Sequence, residues 1–68
     1  MSIARVTEIK ASSTESFDAA MLEGIERANK TLKNVKSAWI QSQEVIIGSK
    51  GEITEYRLHM KITFVLSD

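Results

Sequence analysis

The sequence predicts an α+β domain in the order strand, helix, strand, strand, and three observations carry that reading. Residues 53–66 alternate between two faces, with Thr54, Tyr56, Leu58, Met60, Ile62, Phe64 and Leu66 on one and Ile53, Glu55, Arg57, His59, Lys61, Thr63 and Val65 on the other. Period-two alternation marks a strand with one buried face. Phe17, Ala20, Met21, Gly24, Ile25, Ala28 and Leu32 recur instead at helical spacing. Gly48-Ser49-Lys50-Gly51-Glu52 joins the last strand to a preceding extended segment. That connection is too short for a crossover, so the last two strands form an antiparallel hairpin.

Residues 3–10 read as the first strand. Its register is mixed, because Ala4 and Val6 share one parity and Ile3 and Ile9 the other; a bulge near Glu8 reconciles them. Ser12 with Glu15 three residues on forms a capping box, and Ser13 is a comparable cap, so the helix is expected to start there. Acids gather in the first half of the helix and Lys30 and Lys33 lie near its end, in keeping with its dipole. Gly24 lies inside the apolar stripe, where glycine costs about 1 kcal/mol relative to alanine, and suits a close approach of helix to sheet. The helix is expected to stop near Lys33-Asn34 and to pack Phe17, Met21, Ile25, Ala28 and Leu32 on Tyr56, Leu58, Met60, Ile62 and Phe64.

The second strand is predicted over 35–47 and the third over 53–66. Residues opposite one another in a hairpin share a face. The even positions Ala38, Ile40 and Ile46 therefore join the core, given an odd connection or a bulge, while Ser37, Trp39, Gln41 and Gln43 line the opposite face beside Arg57 and His59. A third strand of this length spans roughly 40 Å, more than so short a chain can cover on both faces, and points to an assembly.

Composition bounds the function. A chain of 68 residues holds one domain, spanning 1–68, and domains this small bury only about 60% of their unfolded surface. Without cysteine, and with a single histidine, neither disulfides nor a multi-thiolate or multi-histidine metal site can brace it, which leaves self-association. Zero formal net charge and the absence of a basic stripe argue against a nucleic-acid partner. No apolar run approaches the ~20 residues of a membrane span. The opening Met1-Ser2-Ile3-Ala4-Arg5 lacks a signal-peptide core, and the missing cysteines suit a reducing compartment, so a cytoplasmic protein is expected.

Taken together, Ser13-Thr14-Glu15-Ser16-Phe17, the run Arg27-Ala28-Asn29-Lys30-Thr31-Leu32-Lys33-Asn34-Val35, Glu55-Tyr56-Arg57 and Lys61-Ile62-Thr63-Phe64-Val65-Leu66 make the whole chain resemble a dodecin. The resemblance implies a three-stranded antiparallel sheet wrapped around one helix, and a hollow dodecamer with cubic symmetry. Flavin-binding dodecins hold paired flavins at two-fold axes, with isoalloxazine rings between tryptophans of neighbouring subunits, and act as flavin stores or scavengers rather than catalysts. The family's stacking tryptophan falls at Ser37 here, and its ring-contacting glutamine at Arg57. Trp39, two residues along the same strand face, is the substitute stacker that the resemblance offers for FMN, riboflavin or FAD. Other dodecins bind cations, so a structural or calcium-binding shell without flavin is the alternative.

The candidate site is Ser37, Trp39, Gln41, Arg57 and His59. An indole on a sheet offers a flat, rigid π-face to a planar ligand, or equally a packing surface at a subunit contact. Arg57 can clamp a phosphate or ring carbonyl, or pair with Glu44 or Glu55. His59 can donate to a ligand or stay solvated. The amides of Gln41 and Gln43 suit a polar ring edge or a cross-strand contact. For a metal, Asp18, Glu23 and Glu26 could converge only with symmetry mates. No nucleophile–base or acid pair has catalytic spacing, so no enzyme is expected.

Overall fold

In the computed structural model, which describes residues 3–66, strand β1 (Ile3–Ser13) leads to helix α1 (Phe17–Thr31) and then to β2 (Val35–Ile47) and β3 (Ile53–Leu66). The strands form one antiparallel sheet in the order β1-β3-β2, so β3 is central and β2 is an edge. The helix lies across one face. The unit is a slab of 53 × 19 × 13 Å, and a helix of 15 residues spans only about 22 Å of that length. Much of the sheet is left uncovered by this chain.

The helix begins later than the capping-box motif indicates. β1 stays paired to β3 as far as Ser13, opposite Tyr56, so Ser12 and Ser13 are held in the strand. Ser16 is the N-cap instead, and its Oγ accepts the Ala19 N–H at 3.0 Å. Ser13 Oγ accepts the Glu15 N–H at 3.0 Å and shapes the turn before it. At the other end, Leu32 caps the helix by donating its N–H to the Ala28 carbonyl at 2.8 Å. Asn34 then turns the chain in the left-handed region at φ 61°. There its carbonyl accepts Val65 N–H at 3.0 Å and its Nδ2 donates to the Val65 carbonyl at 3.3 Å, tying the helix exit to the end of β3.

The core is Ala20 and Ala28 of α1 against Leu58, Met60 and Ile62 of β3, with Ile9, Ala11, Phe17, Met21, Leu32, Val35, Ala38 and Ile40 packed around it. Ala20, Gly24 and Ala28 are all buried at four-residue steps, so the face of α1 on the sheet is made of small residues. A β-carbon at Gly24 would collide with Met60 Cε and stand 3.1 Å from Ala11 Cβ, which confirms the close approach. Phe17 meets Tyr56 edge to face at a centroid distance of 5.2 Å. Ile25, expected in the core, is half-buried and lies outside the core cluster. The helix turns its smallest side chains straight at the sheet and leaves Ile25 on the flank.

Two expectations about register are corrected. β1 pairs without a break from Ile3 to Ser13, so no bulge forms near Glu8; Ile9 and Ala11 enter the core while Val6, opposite Thr63, stays on the open face, 57% exposed. The register of β2 shifts instead, between Val35 and Ser37, between Ile40 and Ser42 and between Ile46 and Ile47; at the middle shift Gln41 is an extra residue between the pairs Ile40↔Met60 and Ser42↔His59. Beyond it the parity of β2 inverts. Gln43 opposes Leu58 and Val45 opposes Tyr56 on the helix side, while Ile46 opposes Glu55 on the open side. Ile46 therefore leaves the predicted core, and Gln43 leaves the open face. The hairpin closes through Gly48 N–H to the Glu52 carbonyl at 2.8 Å, with Gly51 at φ 82° supplying the left-handed turn residue.

Candidate functional site

The uncovered face of the sheet carries the chemistry. β3 presents Arg57, His59, Lys61 and Thr63 there by alternation, and its two neighbours add Ser37, Trp39, Ser42 and Glu44 from β2 and Glu8, Lys10 and Ser12 from β1. Among these Trp39 is the conspicuous group: a large indole, 66% exposed, on an edge strand. Its cross-strand neighbour is Lys61, whose Nζ stands 5.3 Å above the ring centroid. One indole face is thus against a cation, in the range of a cation–π contact.

Lys61 is also linked to β1. Its Nζ is 4.0 Å from Glu8 Oε1, and the second carboxylate oxygen of Glu8 lies 3.3 Å from His59 Nε2. A chain of contacts therefore runs His59–Glu8–Lys61–Trp39 across all three strands. Arg57 belongs to a separate pair, donating from Nε to Glu55 Oε1 at 3.1 Å and from Nη2 to Oε2 at 3.4 Å. Glu55 is held below the usual carboxylate range first by that guanidinium hydrogen bond and then by one from Ser12, and Arg57 is raised in turn by Glu55. The ion pair anticipated for Arg57 thus forms with Glu55.

The five candidates are not one compact pocket. Trp39 and Ser37 lie together on the open face, opposite Lys61 and Thr63, whereas Arg57 lies across from Glu44 further along. From Thr63 to Arg57 is six steps of strand, about 20 Å. A cavity of about 310 Å³ gathers Arg57 and His59 with Lys10, Ser12, Ser42 and Glu44, without Trp39. Gln41 sits at the bulge. Lys61 and Glu8 were missed as site residues; the alternation of β3 placed Lys61 on the open face, but its partnership with Trp39 and Glu8 depends on registers that a single sequence does not print.

On the helix side Asp18, Glu23 and Glu26 are exposed. Glu26 pairs with Lys30 at 3.8 Å, and Glu23 shares a cavity of about 380 Å³ with Glu15, Glu55, Ser12 and Ser13 at the end of β1, and Thr14 just after it. Among the described residues no three acidic, histidine or cysteine groups are placed to hold a metal ion, and no helix is long and apolar enough to cross a membrane.

A helix laid on one face of a three-stranded sheet, with an exposed aromatic on the other, defines a subunit whose second surface is left for ligand or neighbour. The Dodecin family model matches residues 3–67, and the chain belongs to the dodecin family. Many members of that family bind flavin, and the family assembles into dodecamers. The chain is 30% identical over 64 residues to the calcium dodecin of Mycobacterium tuberculosis, covering 94% of this chain and 89% of that protein. Among solved structures, the dodecin of Streptomyces davaonensis superposes with a TM-score of 0.92 at 31% identity, over 98% of this chain and 97% of its own. An arginine-to-alanine variant of the T. thermophilus dodecin gives 0.92 at 25% identity over the whole of both chains, 100% each. The crystal structure of the M. tuberculosis protein, described as calcium-chelating with a novel calcium-binding site, gives a TM-score of 0.82 at 25% identity over 96% of this chain and 91% of its own.

Proposed function

We propose that this dodecin is the subunit of a hollow homododecamer that stores or sequesters flavin without catalysis, its ring stacked on Trp39 at a two-fold axis between subunits. The observation that carries the reading is Trp39 itself, 66% exposed on the open sheet face beside Ser37, Lys61 and Thr63. An indole so placed leaves a large apolar area in water, roughly 1.5–3 kcal/mol for a side chain of this kind, unless something covers it. One tryptophan covers one side of a planar ring. An isologous contact of edge strands supplies a second Trp39 from the same patch. Ser37 is small beside it and leaves room for the ring. Arg57, occupied by Glu55, contacts ligand only where that pair opens.

The assembly has its own support. Ile47 and Ile53 oppose each other at the hairpin end and are 55% and 49% exposed, which provides a second apolar surface for neighbouring subunits. Light scattering is expected to give a mass of about twelve times 7.6 kDa, and a stable folded monomer at micromolar concentration would refute the shell. For the ligand, riboflavin or FMN titrated with the protein is expected to lose fluorescence, and Trp39→Ala is expected to abolish that quenching while leaving the mass unchanged. Equal quenching by the variant would refute the site.

The second reading is a calcium-binding shell, favoured by the 30% identity to a protein named calcium dodecin. In that reading Asp18, Glu23 and Glu26 meet symmetry mates, since one chain does not assemble enough oxygens. Calorimetric titration with Ca²⁺ separates the two: heat saturating at fixed stoichiometry, with no flavin quenching, supports the shell.

A further inference from the structure

We propose that Lys61 sets the ligand preference of the Trp39 surface, selecting planar aromatic ligands that carry a negative charge over neutral ligands with the same ring. The proposal rests on the stacking reading above and concerns a residue which that reading did not use. Three observations carry it. Lys61 Nζ lies 5.3 Å over the Trp39 ring, so a ligand stacked on the indole comes within reach of the ammonium. The same nitrogen is only loosely held by its carboxylate partner, at 4.0 Å from Glu8 Oε1, and Glu8 is shared with His59 at 3.3 Å. The other cation considered for the ligand, Arg57, is engaged by Glu55 at 3.1 Å and stands four strand steps away, about 13 Å.

The consequence follows from charge. A neutral ring that lies on the ammonium side of the indole takes the cation–π contact from Lys61 and returns nothing to it. A ring bearing an ionised group gives the ammonium a charge-assisted hydrogen bond in exchange, about twice as strong as a neutral one. A ring on the opposite side of the indole leaves the ammonium in place, where a flexible anionic substituent can still reach it. In either pose the anionic ligand gains and the neutral one does not. Lysine suits this role because its stem lets one point charge move between Glu8, the ring and the ligand.

FMN and riboflavin are the probes, since they share the isoalloxazine ring and differ by a phosphate. Each is titrated, by fluorescence quenching at low salt, into the assembled wild type, Lys61→Gln, Lys61→Arg and Trp39→Ala. The wild type is expected to bind FMN about tenfold more tightly than riboflavin, the size of one charged hydrogen bond. In Lys61→Gln the ratio is expected to fall to about one, largely through loss of FMN affinity, and Lys61→Arg is expected to keep most of it. Raising the salt is expected to shrink the wild-type ratio and leave that of Lys61→Gln unchanged. A wild-type ratio near one, or an undiminished ratio in Lys61→Gln, overturns the proposal. Should Lys61→Gln fail to assemble, the FMN-to-riboflavin ratio of Lys61→Met, which also removes the charge, decides in its place. If neither flavin quenches, the stacking reading fails and this proposal with it. If both quench equally and Trp39→Ala abolishes the quenching, stacking stands and the role of Lys61 falls.

Discussion

Replacing Gly24 by alanine tests how closely α1 is held to the sheet. On an exposed helix the change gains about 1 kcal/mol, because alanine is the better helix former. Here the added methyl collides with Met60 Cε and lies 3.1 Å from Ala11 Cβ. Met60 is 0% exposed, so its flexible end must find another rotamer inside the core, and Ala11, on a paired strand, must give by a few tenths of an ångström. Overpacking of this kind costs about 1–3 kcal/mol. With the helix gain offsetting about 1 kcal/mol of it, Gly24→Ala is expected to destabilise by up to about 2 kcal/mol. Urea unfolding followed by circular dichroism at fixed protein concentration measures it, since a small domain with a slope of about 1 kcal/mol/M should lose up to about 2 M in its midpoint. Asn29→Ala, at an exposed position of the same helix, supplies the propensity gain without the collision and should raise the midpoint slightly. A Gly24→Ala variant as stable as Asn29→Ala would refute the close packing.

The remaining predictions concern the core and the acid range. Ile62, 0% exposed, should cost about 2–5 kcal/mol when cut to alanine, and the half-buried Ile25 less than half as much; the opposite order in urea midpoints would mean that a neighbouring subunit covers Ile25. Glu55 has its carboxyl lowered from 4.5 by Arg57 and Ser12, so its contribution to stability is complete above that value and is lost as pH falls through the lowered one. The difference in melting temperature between wild type and Glu55→Gln should therefore be present at pH 7 and vanish in strong acid; a difference that persists there would contradict the assignment.

How far the sequence could be read depended on where its hydrophobic pattern was informative. β2 and β3 occur at the predicted bounds, Val35–Ile47 and Ile53–Leu66, because Leu58, Met60 and Ile62 alternate with charged residues and leave one register open. The apolar stripe of α1 was likewise visible, and Gly24 marked the close approach, but the reading put Ile25 rather than Ala20 against the sheet. The bulge at Gln41 was not placed, since Gln41-Ser42-Gln43-Glu44 is polar on both faces and a parity change inside it moves no apolar side chain. Its effect surfaces only downstream, where Val45 turns to the core and Ile46 away from it. The helix start was missed because Ser12, Ser13 and Ser16 are all competent caps, and strand pairing as far as Ser13 decided among them. At the candidate site, Trp39 stood out by type, and Arg57 and Glu55 by charge. Lys61 and Glu8 acquire their meaning only from two separate strand registers meeting on β3.

The central claim is that the indole of Trp39 is a stacking surface shared between subunits. A crystal structure of the assembled protein grown with FMN tests it most directly. The account predicts isoalloxazine density parallel to Trp39 at van der Waals separation, about 3.5–4.0 Å, beside a two-fold axis that brings a second Trp39 to the stack. Flavin density bound elsewhere on the subunit, or a Trp39 packed against protein with no flavin in the shell, would contradict it.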